Sequence, residues 1–143
     1  MIQFMYMEDI YMCVFCKIIN GEIPCFKLYE NGFVTCFLDI SQATKGHTLI
    51  VPKKHVENVF SLNEEEASEI MKAAVIVSNL LKEKLGVENV NLLNNSGSLA
   101  GQTVMHFHLH VIPRYEGDNV KICQGENEPN FEELGKLHKL LTE

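Results

Sequence analysis

Hydrophobic and polar positions along the chain switch between a period of two and a period near 3.6, and the switches mark its elements. "FKLYENGFVTCFLD" (26–39) holds two β-prone runs around Asn31-Gly32, a pair that signals a hairpin turn. "HTLIVP" (47–52) predicts a further strand, entered through Gly46 and closed by Pro52. "VNLLNN" (90–95) predicts another, running into the glycine- and serine-rich "NSGSLAGQ". "TVMHFHLHVIP" (103–113) then alternates apolar residues and histidines over 105–111. As a strand it sets Met105, Phe107, Leu109 and Val111 on one face and His106, His108 and His110 on the other, with Pro113 at its end. The helical period rules one long stretch, about Glu64 to Leu85, through Ala67, Ile70, Met71, Ala74, Val77, Leu81 and Leu85. Asn63 and Glu66 form a capping box before it and Gly86 stops it. A shorter helix is expected from Asn130 or Phe131 to Leu141, after a polar connection over 116–128. Mostly hairpin-linked strands around one long helix predict an α+β fold with an antiparallel sheet.

The 143 residues are enough for one domain with a proper core. Its expected extent is 13–143, preceded by an arm, 1–12, whose "MIQFMYMEDIYM" lacks the basic start and cleavage site of a signal peptide. No apolar run approaches the roughly 20 residues that span a bilayer. A net charge of −7 argues against general nucleic-acid or anionic-membrane binding, so a phosphate ligand would need local donors. Five cysteines without a secretion signal point to a reducing compartment, the cytoplasm. There Cys13-x-x-Cys16 reads as half of a metal site or as a redox pair.

Three of six histidines stand within five residues. On a strand, neighbours in such a row lie roughly 7 Å apart, a pitch suited to flanking a phosphate rather than to sharing one metal ion. The loop before them supports that reading. Gly97 and Gly101 let backbone N–H groups approach an anion, and Asn94, Asn95, Ser96, Gln102 and Thr103 add neutral donors.

"GQTVMHFHLHVI" resembles the His-x-His-x-His signature of the histidine triad (HIT) superfamily of nucleotide hydrolases and transferases. "CFLDISQATKGHTLIVPKKH" (36–55) and "FCKIINGEIP" (15–24) resemble that family's first half, and the chain looks nearest to the Hint-like branch and its zinc-bearing bacterial members. The resemblance implies a five-stranded antiparallel sheet with one long and one short helix, dimerising into a ten-stranded sheet. It implies a purine nucleoside phosphoramidase releasing AMP or GMP through a nucleotidyl-histidine intermediate on His108, with no catalytic cofactor. His110 and Thr103 would face the leaving group, His47 would be the additional active-site histidine, and Asn95 and Gly101 would hold phosphate oxygens. Asp39 would hold the ribose hydroxyls, and Phe15, Ile18, Ile23, Phe37 and Ile40 would form the base pocket. A structural zinc would sit on Cys13, Cys16, His55 and His106. The rivals are a dinucleoside polyphosphate hydrolase with the same nucleophile, a metalloenzyme with its catalytic ion on the triad, and a nucleotide-binding regulatory module.

Overall fold

The computed structural model describes residues 13–143; the arm expected over 1–12 lies outside the described residues. In chain order the elements are α1 (Val14–Ile19), β1 (Lys27–Glu30), β2 (Val34–Leu38), β3 (Thr48–Pro52), α2 (Glu64–Leu85), β4 (Val90–Leu93), β5 (Leu109–Pro113) and α3 (Phe131–Thr142), with short 3-10 turns at Val59–Ser61 and Ser98–Ala100. The five strands form one sheet in the order β1-β2-β3-β5-β4, every pair antiparallel. The fold is therefore α+β, as the pattern predicts, with one helix more: the six-residue α1, too short to show a helical period.

Both faces of the central strands are covered. Val34 and Cys36 of β2, Ile50 of β3, and Leu109 and Val111 of β5 pack under α2 against Ile70, Ala73, Ala74, Val77 and Leu81. Residues of opposite parity, Phe37, Leu49 and Val51, pack on the other face with Cys13, Phe15 and Cys16 from the region of α1. This second layer explains why all five residues of β3 are buried although its neighbours are antiparallel. His110 shares the parity of that second face, so it opens toward α1.

The hairpin expected at Asn31-Gly32 forms, β1 pairing antiparallel with β2, and two other expectations need correcting. Gly32 takes no left-handed φ, and the Asn31 carboxamide oxygen accepts from the amides of Phe33 and Val34 at 2.8 and 3.0 Å. The turn is an Asx turn, in which the side chain does the work of the backbone. The α2 stripe is shifted. Glu66 and Ala73 are buried, whereas Ala67 and Met71 are exposed and Leu85 is at the margin, because the helix seats its two small residues, Ala73 and Ala74, on the sheet. The histidine row is not one regular strand, since ladder pairing begins only at Leu109. The carbonyls that would extend the ladder are taken by side chains: that of His106 lies 2.8 Å from Nδ1 of His108, and that of His108 accepts from the Asn94 amide at 3.0 Å. The 116–128 connection begins tied down, Arg114 holding Asp118 through two nitrogens at 2.9 Å and the Val120 carbonyl at 2.7 Å.

Candidate active site and metal cluster

Each histidine of the row does different work. His106 is fully buried, and its Nε2 lies 2.8 Å from the Pro52 carbonyl. A carbonyl only accepts, so the proton is on Nε2 and the Nδ1 lone pair faces Cys13 and Cys16. Nδ1 lies 3.4 Å from the Cys13 sulfur, 3.5 Å from the Cys16 sulfur and 3.2 Å from Nδ1 of His55, itself 3.2 Å from the Cys16 sulfur. All four atoms lie within 4.8 Å of one another. A tetrahedral zinc with ordinary bond lengths needs sulfur–nitrogen edges of about 3.5 Å and a nitrogen–nitrogen edge of about 3.3 Å. The cluster matches that tetrahedron. Cys13 caps the N-terminus of α1, its sulfur accepting from the Cys16 amide at 3.4 Å. Burial first, and then the neighbouring Cys13, pushes the Cys16 thiol up to about 12, and burial pushes His106 down to about 4. A divalent ion here would supply the charge that makes Cys16 a thiolate. Sequence reasoning singled out all four of these residues.

His108 is buried and its Nδ1 carries the proton donated to the His106 carbonyl, which leaves the Nε2 lone pair unprotonated. The Phe15 ring meets its imidazole edge-on, centroids 5.1 Å apart, and fixes its plane. His110 lies on β5, centroid 5.0 Å from that of His108. Its Nδ1 is 2.9 Å from Nε2 of the buried His47, which stands just before β3. Burial lowers both: His110 falls to about 4, helped by the nearby His108 and His47, and His47 falls despite the opposing pull of Asp39.

These groups face a cleft of about 600 Å³. Its apolar lining is Phe15, Ile18, Ile23, Phe37 and Leu49, and its lining also includes Asp39, Asn95, Gly101, Thr103, His108 and His110. Eleven of the twelve residues expected at a nucleotide site therefore line one cavity, and the twelfth, His47, backs it through His110. Ile40 is at the rim and 91% exposed, so it is an edge rather than a wall. Asp39 accepts the Ser41 amide on Oδ1 at 2.8 Å, and its Oδ2 lies 3.6 Å from Nε2 of His47. Gly101 takes φ +95°, and a Cβ there would stand 3.4 Å from the Asn95 amide nitrogen.

Three polar residues of the preceding loop build the site instead of facing a ligand. Gln102 is buried, donating to the carbonyls of Glu57 and Val104 at 2.7 and 3.0 Å and accepting the Gly97 amide at 2.8 Å. Asn94 holds the His108 carbonyl, and Ser96 donates to Asn94 at 2.6 Å. Their side-chain donors are used internally, which leaves Asn95, Thr103 and backbone at the cleft. Gln42 was missed by sequence reasoning: it bridges the Asp39–His47 turn from an exposed position, where nothing in the pattern distinguishes it from a solvated loop residue.

The HIT domain family matches residues 20–117. The chain is 39% identical to adenosine 5'-monophosphoramidase HNT1 of Saccharomyces cerevisiae, over 90% of this chain and 80% of that one. It superimposes on a HIT family protein of Bacillus anthracis with a TM-score of 0.85 at 47% identity, covering 91% of this chain and 94% of the other. A zinc-bound histidine triad family protein of Mycobacterium smegmatis gives a TM-score of 0.74 at 33% identity, covering 92% and 93%. With the cleft, the histidine row and these similarities in agreement, the chain belongs to the HIT domain family.

Proposed function

We propose that the protein is a purine nucleoside phosphoramidase that works through a nucleotidyl-histidine intermediate on His108. The observation that carries this is the tautomer of His108: with Nδ1 committed to the His106 carbonyl, Nε2 presents its lone pair beside Asn95, Gly101 and Thr103. Nε2 bonds to the α-phosphorus and the P–N bond breaks. The amine leaves with the electron pair and takes a proton from solvent. Water then attacks the phosphorus, and the nucleoside monophosphate departs as the P–Nε2 bond breaks. The Asn95 amide and the backbone at Gly101 hold non-bridging oxygens as charge builds. His110 and Thr103 face the leaving group, Asp39 takes the ribose hydroxyls and the apolar side chains take the base. The similarity to a named adenosine 5'-monophosphoramidase supports an adenosine substrate.

Zinc on Cys13, Cys16, His55 and His106 is structural in this reading, supported by the tetrahedral spacing and by the zinc-bound relative. It draws His106 out of the row, which disfavours a catalytic ion shared by the three histidines. The protein works in the cytoplasm, a placement supported by five cysteines that are all free of disulfides. Among the described residues no helix is long and apolar enough to cross a membrane.

The test is intact mass after a brief mix with adenosine 5'-phosphoramidate, with metal analysis alongside. Turnover to AMP is expected, with a quenched adduct one AMP heavier that His108→Ala lacks. One zinc per chain is expected in the wild type and none in Cys16→Ser, with turnover surviving brief chelation. Turnover undiminished in His108→Ala would remove the nucleophile, and instant loss with EDTA would favour a catalytic metal.

A further inference from the structure

The hydrogen bonds around His47 determine where the protons of the His47–His110 pair reside. The Ala43 amide donates to Nδ1 of His47 at 3.2 Å, so that nitrogen is an acceptor and the ring proton is on Nε2. Nε2 faces Nδ1 of His110 at 2.9 Å. One proton fits between two nitrogens at that distance, and it belongs to His47. Nδ1 of His110 is therefore the acceptor, and the proton of His110 lies on Nε2. A further proton has no place on either accepting nitrogen: on Nδ1 of His47 it would meet the Ala43 N–H, and on Nδ1 of His110 it would meet the Nε2–H of His47. Asp39 and His108 are the titratable groups that face the pair among the described residues; Oδ2 of Asp39 lies 3.6 Å from Nε2 of His47, and an Asp39 oxygen stands within 4.8 Å of a ring nitrogen of His110.

Gln42 holds this arrangement. Its amide donates to the carbonyls of Asp39 and His47 at 2.6 and 2.7 Å and accepts the Gly46 amide at 2.7 Å, closing the turn that aims Ala43 N–H at the ring. We infer that the Gln42-braced turn locks His47 and His110 as a neutral pair in a single tautomer, so that His110 offers the substrate a hydrogen bond from Nε2–H and keeps its proton. A neutral imidazole that gave up Nε2–H while accepting at Nδ1 would become an anion, and opposite Nδ1 stands only the neutral N–H of His47 and no cation. His110 is thus a donor to charge that builds at the leaving group and not its general acid, and Gln42 is a positioning residue for it. This rests on the phosphoramidase reading for its role in turnover, whereas the tautomers stand apart from any activity.

Two measurements on the zinc-loaded protein test it. In imidazole ¹⁵N spectra, His47 and His110 are expected to be neutral, with Nδ1 unprotonated, throughout about pH 5.5 to 8. Gln42→Ala is expected to mix the His47 tautomers and to lower turnover about tenfold or more. A proton on Nδ1 of His110, imidazolium in that range, or Gln42→Ala leaving tautomer or turnover untouched would overturn the lock. Zinc added beyond the first equivalent should leave both rings unshifted; since Asp39, His47 and His110 also place three ligand atoms within 4.8 Å, a shift there would overturn it too. Kinetically, His110→Gln retains an N–H donor that cannot be transferred. Its loss should stay within about tenfold, equal for alkylamine and arylamine phosphoramidates, against about a hundredfold or more for His110→Leu. A Gln variant as inactive as Leu, with the greater loss on the alkylamine, would make His110 the acid. Wild type with the expected spectra and no phosphoramidase activity would fail the function and not the tautomer lock.

Discussion

At the scale of single residues, burial and hydrogen bonding turn chemically identical histidines into different groups. His106 offers Nδ1 to the cysteines because Pro52 fixes its Nε2, and His108 offers Nε2 because the His106 carbonyl fixes its Nδ1. The pair behind them carries a consequence for stability. His110 is held down to about 4 and His47 is also lowered, chiefly by burial, whereas unfolded imidazoles titrate near their ordinary value of about 6.5. Below that value the unfolded chain binds protons that the folded chain refuses, so stability is intact above about pH 6.5 and falls as pH drops toward about 4. Urea midpoints at about pH 7 and about pH 5 check this. The midpoint should fall in acid, and less in His110→Gln; a midpoint that is flat or rises in acid would exclude the linkage.

At the scale of elements, the strand and helix signals place residues near the site, while loops aim them. α2 forms as the sequence predicts because Asn63 and Glu66 cap it reciprocally and Gly86 ends it in the left-handed conformation. Its C-terminal end then constrains the turn before His47. Gly46 has φ +96°, and a Cβ there would stand 3.0 Å from a Leu85 methyl, 3.1 Å from a Leu81 methyl and 3.3 Å from the Pro113 ring. Gly46→Ala therefore combines backbone strain with crowding and should cost about 1–3 kcal/mol. Because the Gly46 amide is a ligand of Gln42, turnover should fall as well. Thermal melts and kinetics on this variant decide it: an unchanged melt would mean that the helix end yields freely. The hairpin is aimed in the same way, since the Asn31 carboxamide holds the amides of Phe33 and Val34 at its turn.

At the scale of the whole molecule, exposed apolar surface bears on assembly. β4 is an edge strand with Val90 and Leu92 partly exposed, and α2 carries Met71 at 51% and Val75 at 58% exposure on the face away from its own sheet. This edge, unpaired among the described residues, and the apolar helix face are where we propose that a second copy docks, extending the sheet to ten strands. Light scattering should give twice the chain mass for wild type and a shift toward the monomer for Met71→Glu with Val75→Glu. A wild type of one chain mass at micromolar concentration would remove the dimer. α3 is amphipathic yet has no buried residue in the single chain, so nothing within the described protomer explains its apolar side.

The sequence by itself determined the α+β class, the five strands, and the long helix with its caps, and it marked the histidine row, the loop before it and the Cys13-x-x-Cys16 pair as places of interest. Periodicity, capping and motif spacing are local properties, and a local pattern needs no knowledge of the remote chain. The spacing of the row does not separate His106 from His108 and His110; the family resemblance implies that separation. The fold makes it by bringing Cys13 and Cys16 to His106, while the ladder stops at Leu109 where side chains hold the carbonyls before it. Tertiary structure alone decided that Gln102, Asn94 and Ser96 brace the loop while Asn95 and Thr103 face the cleft. It also decided which nitrogen of each imidazole holds the proton. A donor or acceptor is defined by its partner, and the partners that fix His106 and His110, Pro52 and His47, are remote in sequence.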